Sequence, residues 1–185
     1  MSEIAVRRDG AIAIITITLP EQFMTDNTVR ELNAATEELH ADESCRAMVF
    51  TGGEEGVFIR HFSVKVLEEM SAALRQRGKT FSDQKLLVKD RDIDVLFRRL
   101  ASTPKITIAA INGYAMGGGF EFCLSCDLRI VQDGAHTLGL PELKVGILPG
   151  GGGTQKLGRL VGQARALEMV LRGRTVPPRE ALQLG

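Results

Sequence analysis

Two glutamates in this chain stand where a carboxylate is costly. Glu121 lies in INGYAMGGGFEFCLSCD (111–127), among Phe120, Phe122, Cys123 and Leu124. Glu142 lies in LGLPELKVGILPGGGG (138–153), beside Leu140, Pro141 and Leu143. A charged group among apolar neighbours is destabilising unless it is paired or changes protonation state. Both stretches are also rich in glycine. Burial raises a carboxyl pKa, and two close carboxyls push theirs apart. One member of such a pair can hold a proton while the other accepts one, which is acid/base chemistry. A structural alternative stays open on spacing alone: Glu121 caps a neighbouring turn and Glu142 lies on a surface loop.

The glycines narrow the chemistry by elimination. A Walker A loop requires G-x-x-x-x-G-K-[ST], and the only GKT (78–80) has Ala73 at the first glycine position. A dinucleotide fingerprint started at Gly150 reaches Gln155, and one started at Gly117 reaches Phe122, where glycine is needed. No G-x-S-x-G elbow is present. His40, His61 and His136 are scattered, so no metal set forms in sequence. Cys123 and Cys126 form a C-x-x-C without a second pair at zinc spacing, and they read as small buried hydrophobes. What remains is a strand, a glycine turn and a helix that aim free backbone N–H groups at one point. The helix N-terminus adds partial positive charge there. Such a point suits a developing oxyanion. Glu121 falls about one turn inside that helix.

The surrounding pattern must position these groups. EIAVRRDGAIAIITITL predicts a hairpin turning at Asp9-Gly10. Residues 26–41 predict a helix with Val29, Leu32, Thr36 and Leu39 inward and a capping box at Thr28 and Glu31. Residues 46–53 read as a short buried strand. A helix over 64–77 places Val66, Met70, Ala73 and Leu74 on one face, and the polar stretch 79–92 reads as a mobile surface loop or lid. Ile93, Leu96, Phe97 and Leu100 mark another helix. A strand at 106–113, a helix at 117–126, a strand at 127–133, an irregular stretch at 138–153, a helix near 163–172 and a Pro-initiated helix at the end complete the reading. Strands alternate with helices, which predicts an α/β fold with mostly parallel strands.

Composition bounds the function classes. The 185 residues suffice for one domain with a core. The formal net charge is +0, so no bulk field recruits nucleic acid or an anionic membrane surface. No apolar run reaches spanning length, and MSEIAVRRDG lacks the apolar stretch of a secretory signal. Three cysteines, few and odd in number, point to a reducing compartment, and the expected location is cytoplasmic.

PKITIAAINGYAMGGGFEFCLSCDLRIV and LGLPELKVGILPGGGGTQKL, in this order and spacing, resemble the two signatures of the crotonase (enoyl-CoA hydratase/isomerase) superfamily. The likeness extends with less detail from the first hairpin to Gly185. It implies a spiral of ββα units around a thioester site, and usually a trimer or a dimer of trimers. By position, the N–H groups of Gly118 and Phe62 match the oxyanion hole. Glu121 and Glu142 match the two carboxylates of hydratases, whereas members that only move a double bond generally keep the one at Glu142. Gly150 matches a backbone group near the bound water. Arg60, His61, Ser63, Val64, Gly117, Pro141, Leu148 and Pro149 fall on the implied substrate-binding surface. The implied reaction is syn addition of water across the α,β double bond of an enoyl-CoA. It needs no metal or redox cofactor, since coenzyme A is part of the substrate. Alternatives are an isomerase, another acyl-CoA-processing member, or a non-catalytic CoA-binding module.

The chain departs from the family pattern in three places, one of them QFMTDN (22–27) after the first hairpin, where the family shows an N-A-L-N-like stretch and no role is carried over. The family's F-x-A-G-A-D-[LI] is VFIRHFSVKVL here, so Arg60-His61-Phe62-Ser63 replace Ala-Gly-Ala-Asp. A backbone donor tolerates such a change, but the local turn must differ. Arg60 could then meet a CoA phosphate and His61 could act as a third acid/base group, or both accommodate an altered loop. Family members also continue past the point matching Gly185 with helices that finish the acyl pocket and build the trimer. The expectation is therefore one crotonase-like core domain, 1–185, without that C-terminal trimerisation segment.

Overall fold

The structure is a computed structural model that describes residues 2–79 and 91–185. Most of the stretch read as a lid lies outside the described residues. The chain opens with β1 (Ile4–Asp9) and β2 (Ile12–Ile17), paired antiparallel with Asp9 opposite Ile12. The two-residue connection is therefore Gly10-Ala11, one position later than expected. Gly10 carries φ +57°, which places the positive φ at the first central residue, as in a II′ turn.

β3 (Phe23–Met24) leads into α1 (Asp26–Ala41). Its N-cap is Thr25, whose hydroxyl accepts from Thr28 N–H while Thr28 reaches back to Thr25 N–H. The capping box is thus Thr25/Thr28, not Thr28/Glu31. Glu31 instead accepts from the Ser2 hydroxyl and from Glu3 N–H, tying the amino-terminal strand to the helix.

After α1 the same unit recurs. β4 (Ala47–Gly52) is followed by β5 (Gly56–Ile59), β6 (His61–Phe62) and α2 (Val64–Gln76). Then α3 (Asp92–Ser102) precedes β7 (Ile106–Ile111), β8 (Gly113–Met116) and α4 (Gly118–Cys123). β9 (Leu128–Val131) and β10 (Leu138–Gly139) are followed by a 3₁₀ turn (Glu142–Val145) and α5 (Gly153–Val161). α6 (Gln163–Leu171), β11 (Thr175–Val176) and α7 (Pro178–Leu184) close the described chain.

After α1, each repeat sends its first strand (β4, β7, β9) to the larger sheet and its second (β5, β8, β10) to the smaller, while β3 and β6 form a short parallel pair. The larger sheet has order β1-β2-β4-β7-β9, and the smaller has order β11-β10-β8-β5. β2, β4, β7 and β9 run parallel, as do β5, β8 and β10. Successive ββα units therefore wind as a spiral, and the mixed α/β class with mostly parallel strands is as the sequence implies.

The core fills the space between the sheets. Phe122 on α4 meets Phe50 on β4 at 5.0 Å and Phe97 on α3 at 6.3 Å between ring centroids, both edge-on, and it lies 6.0 Å from Phe58 on β5. All four rings are buried. α2 lies on the periphery and buries no residue fully. Val66 and Leu74 are half-buried as expected, whereas Met70 and Ala73 face outward and Leu67 takes the inner position. Among the described residues no helix is long and apolar enough to cross a membrane.

Candidate active site

Parallel strands deliver their carboxyl ends to one edge, which is where open α/β sheets form sites. In the smaller sheet β8 lies between β5 and β10. Ile59 and Leu138 both pair with Ala115, and Gly139 pairs with Met116. Beyond β5 come Arg60, His61 and Phe62. Beyond β8 comes the glycine turn, and beyond β10 comes Glu142. Met116 N–H donates to Arg60 C=O, and Gly117 N–H donates to Gly139 C=O, so the three strand ends are stitched together.

Gly117 turns the chain from β8 into α4 at φ +53°, ψ −128°, a conformation that L side chains rarely adopt. A Cβ there would stand 3.3 Å from Glu142 Oε1 and 3.6 Å from His61 Cβ. Gly118 is the first helical residue, so its N–H has no acceptor within the helix. A Cβ at Gly118 would stand 3.2 Å from Phe62 Cβ and 3.6 Å from Phe62 N. The structure thus brings Phe62, Gly117, Gly118 and Glu142 together, although they come from three separate stretches.

Glu121 is 3% exposed. Its Oε1 accepts from Gly151 N–H at 2.7 Å and from Gly153 N–H at 2.8 Å. These donors sit at the start of α5, so the helix N-terminus reads the carboxylate directly. Burial raises the Glu121 pKa above its ordinary value. The Gly153 and Gly151 N–H bonds and the nearby Lys156 and Arg91 charges oppose the rise. Glu142 is 8% exposed, and its Oε2 lies buried with no hydrogen-bond partner. Burial pushes it up to about 7, and the Glu121 charge adds to that. The two carboxyls are therefore electrically coupled and differently supported: Glu121 has donors that favour its anion, and Glu142 has an orphaned oxygen that favours its acid. For Glu121 this hold is also the structural alternative left open by the sequence, a carboxylate capping a neighbouring turn, whereas Glu142 is buried rather than on a surface loop.

The remaining expected residues are more dispersed. His61 stacks on Phe23 at 4.3 Å and pairs its Nδ1 with Phe62 C=O at 2.7 Å. Arg60 is exposed, donates to Gln22 Oε1 at 3.0 Å and lies 5.5 Å from the Tyr114 ring. Ser63 is the N-cap residue of α2 without a side-chain bond, and Val64 is exposed. Pro141 caps the 3₁₀ turn that carries Glu142. Leu148 is 72% exposed, Pro149 is half-buried, and Gly150 C=O accepts from Arg91 at 2.5 Å. Cys123 and Cys126 are buried free thiols. Burial pushes Cys126 up to about 12 and Cys123 well above its ordinary value, so neither carries thiolate at neutral pH.

Several supporting residues escape a sequence reading. Gly151 and Gly153 lie in the noted glycine run, but nothing in the run says that its N–H groups end on Glu121. Lys156 and Ser125 sit 35 and 4 residues beyond Glu121 in sequence. The Ser125 hydroxyl donates to Glu121 C=O at 2.7 Å and accepts from Lys156 Nζ at 2.8 Å. Only the i+4 spacing of Ser125 from Glu121 could have flagged either.

A ββα spiral whose parallel strands end at one edge is the crotonase architecture that the sequence implies. The sequence matches the model of the enoyl-CoA hydratase/isomerase family over residues 7–185, and the chain belongs to that family. It is 37% identical over 190 residues to the fatty acid oxidation complex subunit alpha of Shewanella frigidimarina, covering 97% of this chain and 24% of that protein. The chain thus spans about a quarter of the length of the curated relatives it matches. An enoyl-CoA hydratase structure from Geobacillus kaustophilus superposes with a TM-score of 0.88 at 30% identity, covering 100% of this chain and 66% of that one. DspI of Pseudomonas aeruginosa superposes with a TM-score of 0.82 at 31% identity, over 100% of this chain and 71% of that one.

Proposed function

We propose that the chain is an enoyl-CoA hydratase that adds water syn across the α,β double bond of an acyl-CoA thioester. The observation that carries this reading is the unequal pair: Glu121 held by two N–H donors, and Glu142 buried with an oxygen unpartnered. Near neutral pH, Glu121 is the base and Glu142 the acid. A water held between them gives a proton to Glu121 as its oxygen bonds to C3, and Glu142 gives its proton to C2. Hydroxyl and hydrogen are thereby added, and exchange with solvent resets the two carboxyls. The Gly118 and Phe62 N–H groups take the negative charge that develops on the thioester oxygen. One such donor is worth about 3–4 kcal/mol in a transition state.

Coenzyme A enters as part of the substrate, and the mechanism calls on no metal or redox cofactor. The likeness to fatty acid oxidation complex alpha subunits supports a fatty acyl chain on that thioester. In this reading the enzyme is cytoplasmic and forms a homo-trimer or hexamer when the C-terminal helices of the family are present; exposed Leu160, Leu167, Leu171 and Leu182 on the last helices are apolar surface left to cover.

The test is product analysis by NMR in D₂O with crotonyl-CoA. Hydration predicts a 3-hydroxyacyl thioester with one deuterium at C2. A shifted double bond without added oxygen would instead establish the isomerase alternative. Binding of CoA thioesters without any product would establish a binding module.

A further inference from the structure

The Glu121 carboxylate is held by a turn, and the turn is held by one lysine. Lys156 sits on the first turn of α5, and its ammonium has three donors to place. One goes to the Ser125 hydroxyl at 2.8 Å and one to the Gly151 carbonyl at 2.9 Å. The charge lies 4.7 Å from the centroid of the Phe97 ring, within cation–π range. Ser125 in turn donates to the Glu121 carbonyl. Lys156 therefore joins the two ends of the Glu121 support: the Gly151–Gly153 turn, whose flanking N–H groups grip the carboxylate, and Ser125, which bonds the Glu121 backbone just past the helix that carries it.

We propose that Lys156 is a positioning residue for Glu121, clamping the Gly151–Gly153 turn so that both N–H donors stay on one carboxylate oxygen and the anion is favoured. The proposal rests on reading Glu121 as the base, but its test does not depend on turnover. Other groups face the same carboxyl. Arg91, at the N-terminus of α3, favours the anion, and Glu142 on the 3₁₀ turn disfavours a second charge. Asp94 and Cys126 act on the lysine itself. Arg91 is engaged bidentately by Asp94 at 2.8 Å on each arm, so its charge is largely compensated. Lys156 has no such acidic partner among its described hydrogen bonds. Burial lowers its pKa, and the Glu121 charge opposes that, as expected for an ammonium kept charged by the carboxylate it supports.

The experiment is ¹³C NMR of glutamate-labelled protein across a pH series, with the Glu121 signal assigned by its loss in Glu121→Gln. Lys156→Met, Lys156→Arg and Ser125→Ala are compared with the parent chain, and thermal melts establish that each is folded. Lys156→Met is expected to raise the Glu121 titration midpoint. Ser125→Ala should move it less, in the same direction, and Lys156→Arg should return it close to the parent. In crotonyl-CoA hydration, kcat for Lys156→Met should fall roughly tenfold or more at neutral pH, with KM little changed. An unmoved Glu121 midpoint in folded Lys156→Met overturns the proposal. If Lys156→Met does not fold, an unmoved midpoint in Ser125→Ala does so. A shifted midpoint in a chain that does not hydrate crotonyl-CoA supports the clamp and removes the hydratase reading. Hydration with unmoved midpoints does the reverse.

Discussion

Glu142 is the residue whose environment most directly predicts behaviour. Burial pushes it up to about 7 from an ordinary 4.5. As the proposed acid it must carry a proton, so kcat/KM should fall as pH rises through about 7. Glu121 must be ionised, so the rate should also fall as pH drops through its own raised value. The result is a bell, read by initial rates across pH, and Glu142→Gln should leave only weak residual activity. The same residue sets a stability slope. The folded form binds the proton more tightly, so stability declines between about pH 4.5 and 7. Glu142→Gln should therefore be more stable than the parent above pH 7 by about 2–3 kcal/mol, and close to it below pH 4.5. Urea melts at both ends of this range check the sign.

At the scale of elements, the β8–α4 turn is the joint between fold and site. Gly117→Ala must place a Cβ at φ +53° beside Glu142 and His61, and should cost about 1–3 kcal/mol. It should also lower kcat by about tenfold or more through the displaced Gly118 N–H, measured together with a melt. This turn was legible in the sequence, because a strand, three glycines and an apolar helix have few other uses. So were the first hairpin and the buried glutamate pair. α5 was not. It opens on glycines, which have poor helix propensity, and its start is stabilised by a carboxylate from a distant helix. The α1 cap was misplaced because Thr25, Thr28 and Glu31 share the same three-residue spacing, and only tertiary contacts decide that Glu31 serves the amino-terminal strand.

For the whole molecule, the spiral holds because both sheets share one aromatic cluster. Phe122 is fully buried against Phe50 of the larger sheet, Phe58 of the smaller and Phe97 of α3. It also neighbours Glu121 in α4, so core and site are mechanically one unit. Phe122→Ala should cost about 3–5 kcal/mol in urea denaturation, near the top of the range for a large-to-small core change. The sequence places Phe122 in an apolar stretch beside Glu121, but which sheet each strand joins depends on crossovers that no local pattern encodes.

All three scales meet in the proposed reaction, the hydration of a conjugated thioester by paired glutamates. The direct measurement is loss of crotonyl-CoA absorbance with the parent chain beside Glu121→Gln and Glu142→Gln. Turnover in the parent that falls by about 10²-fold or more in each variant is the predicted result. Turnover that survives either substitution within a few-fold would contradict the paired-carboxylate mechanism.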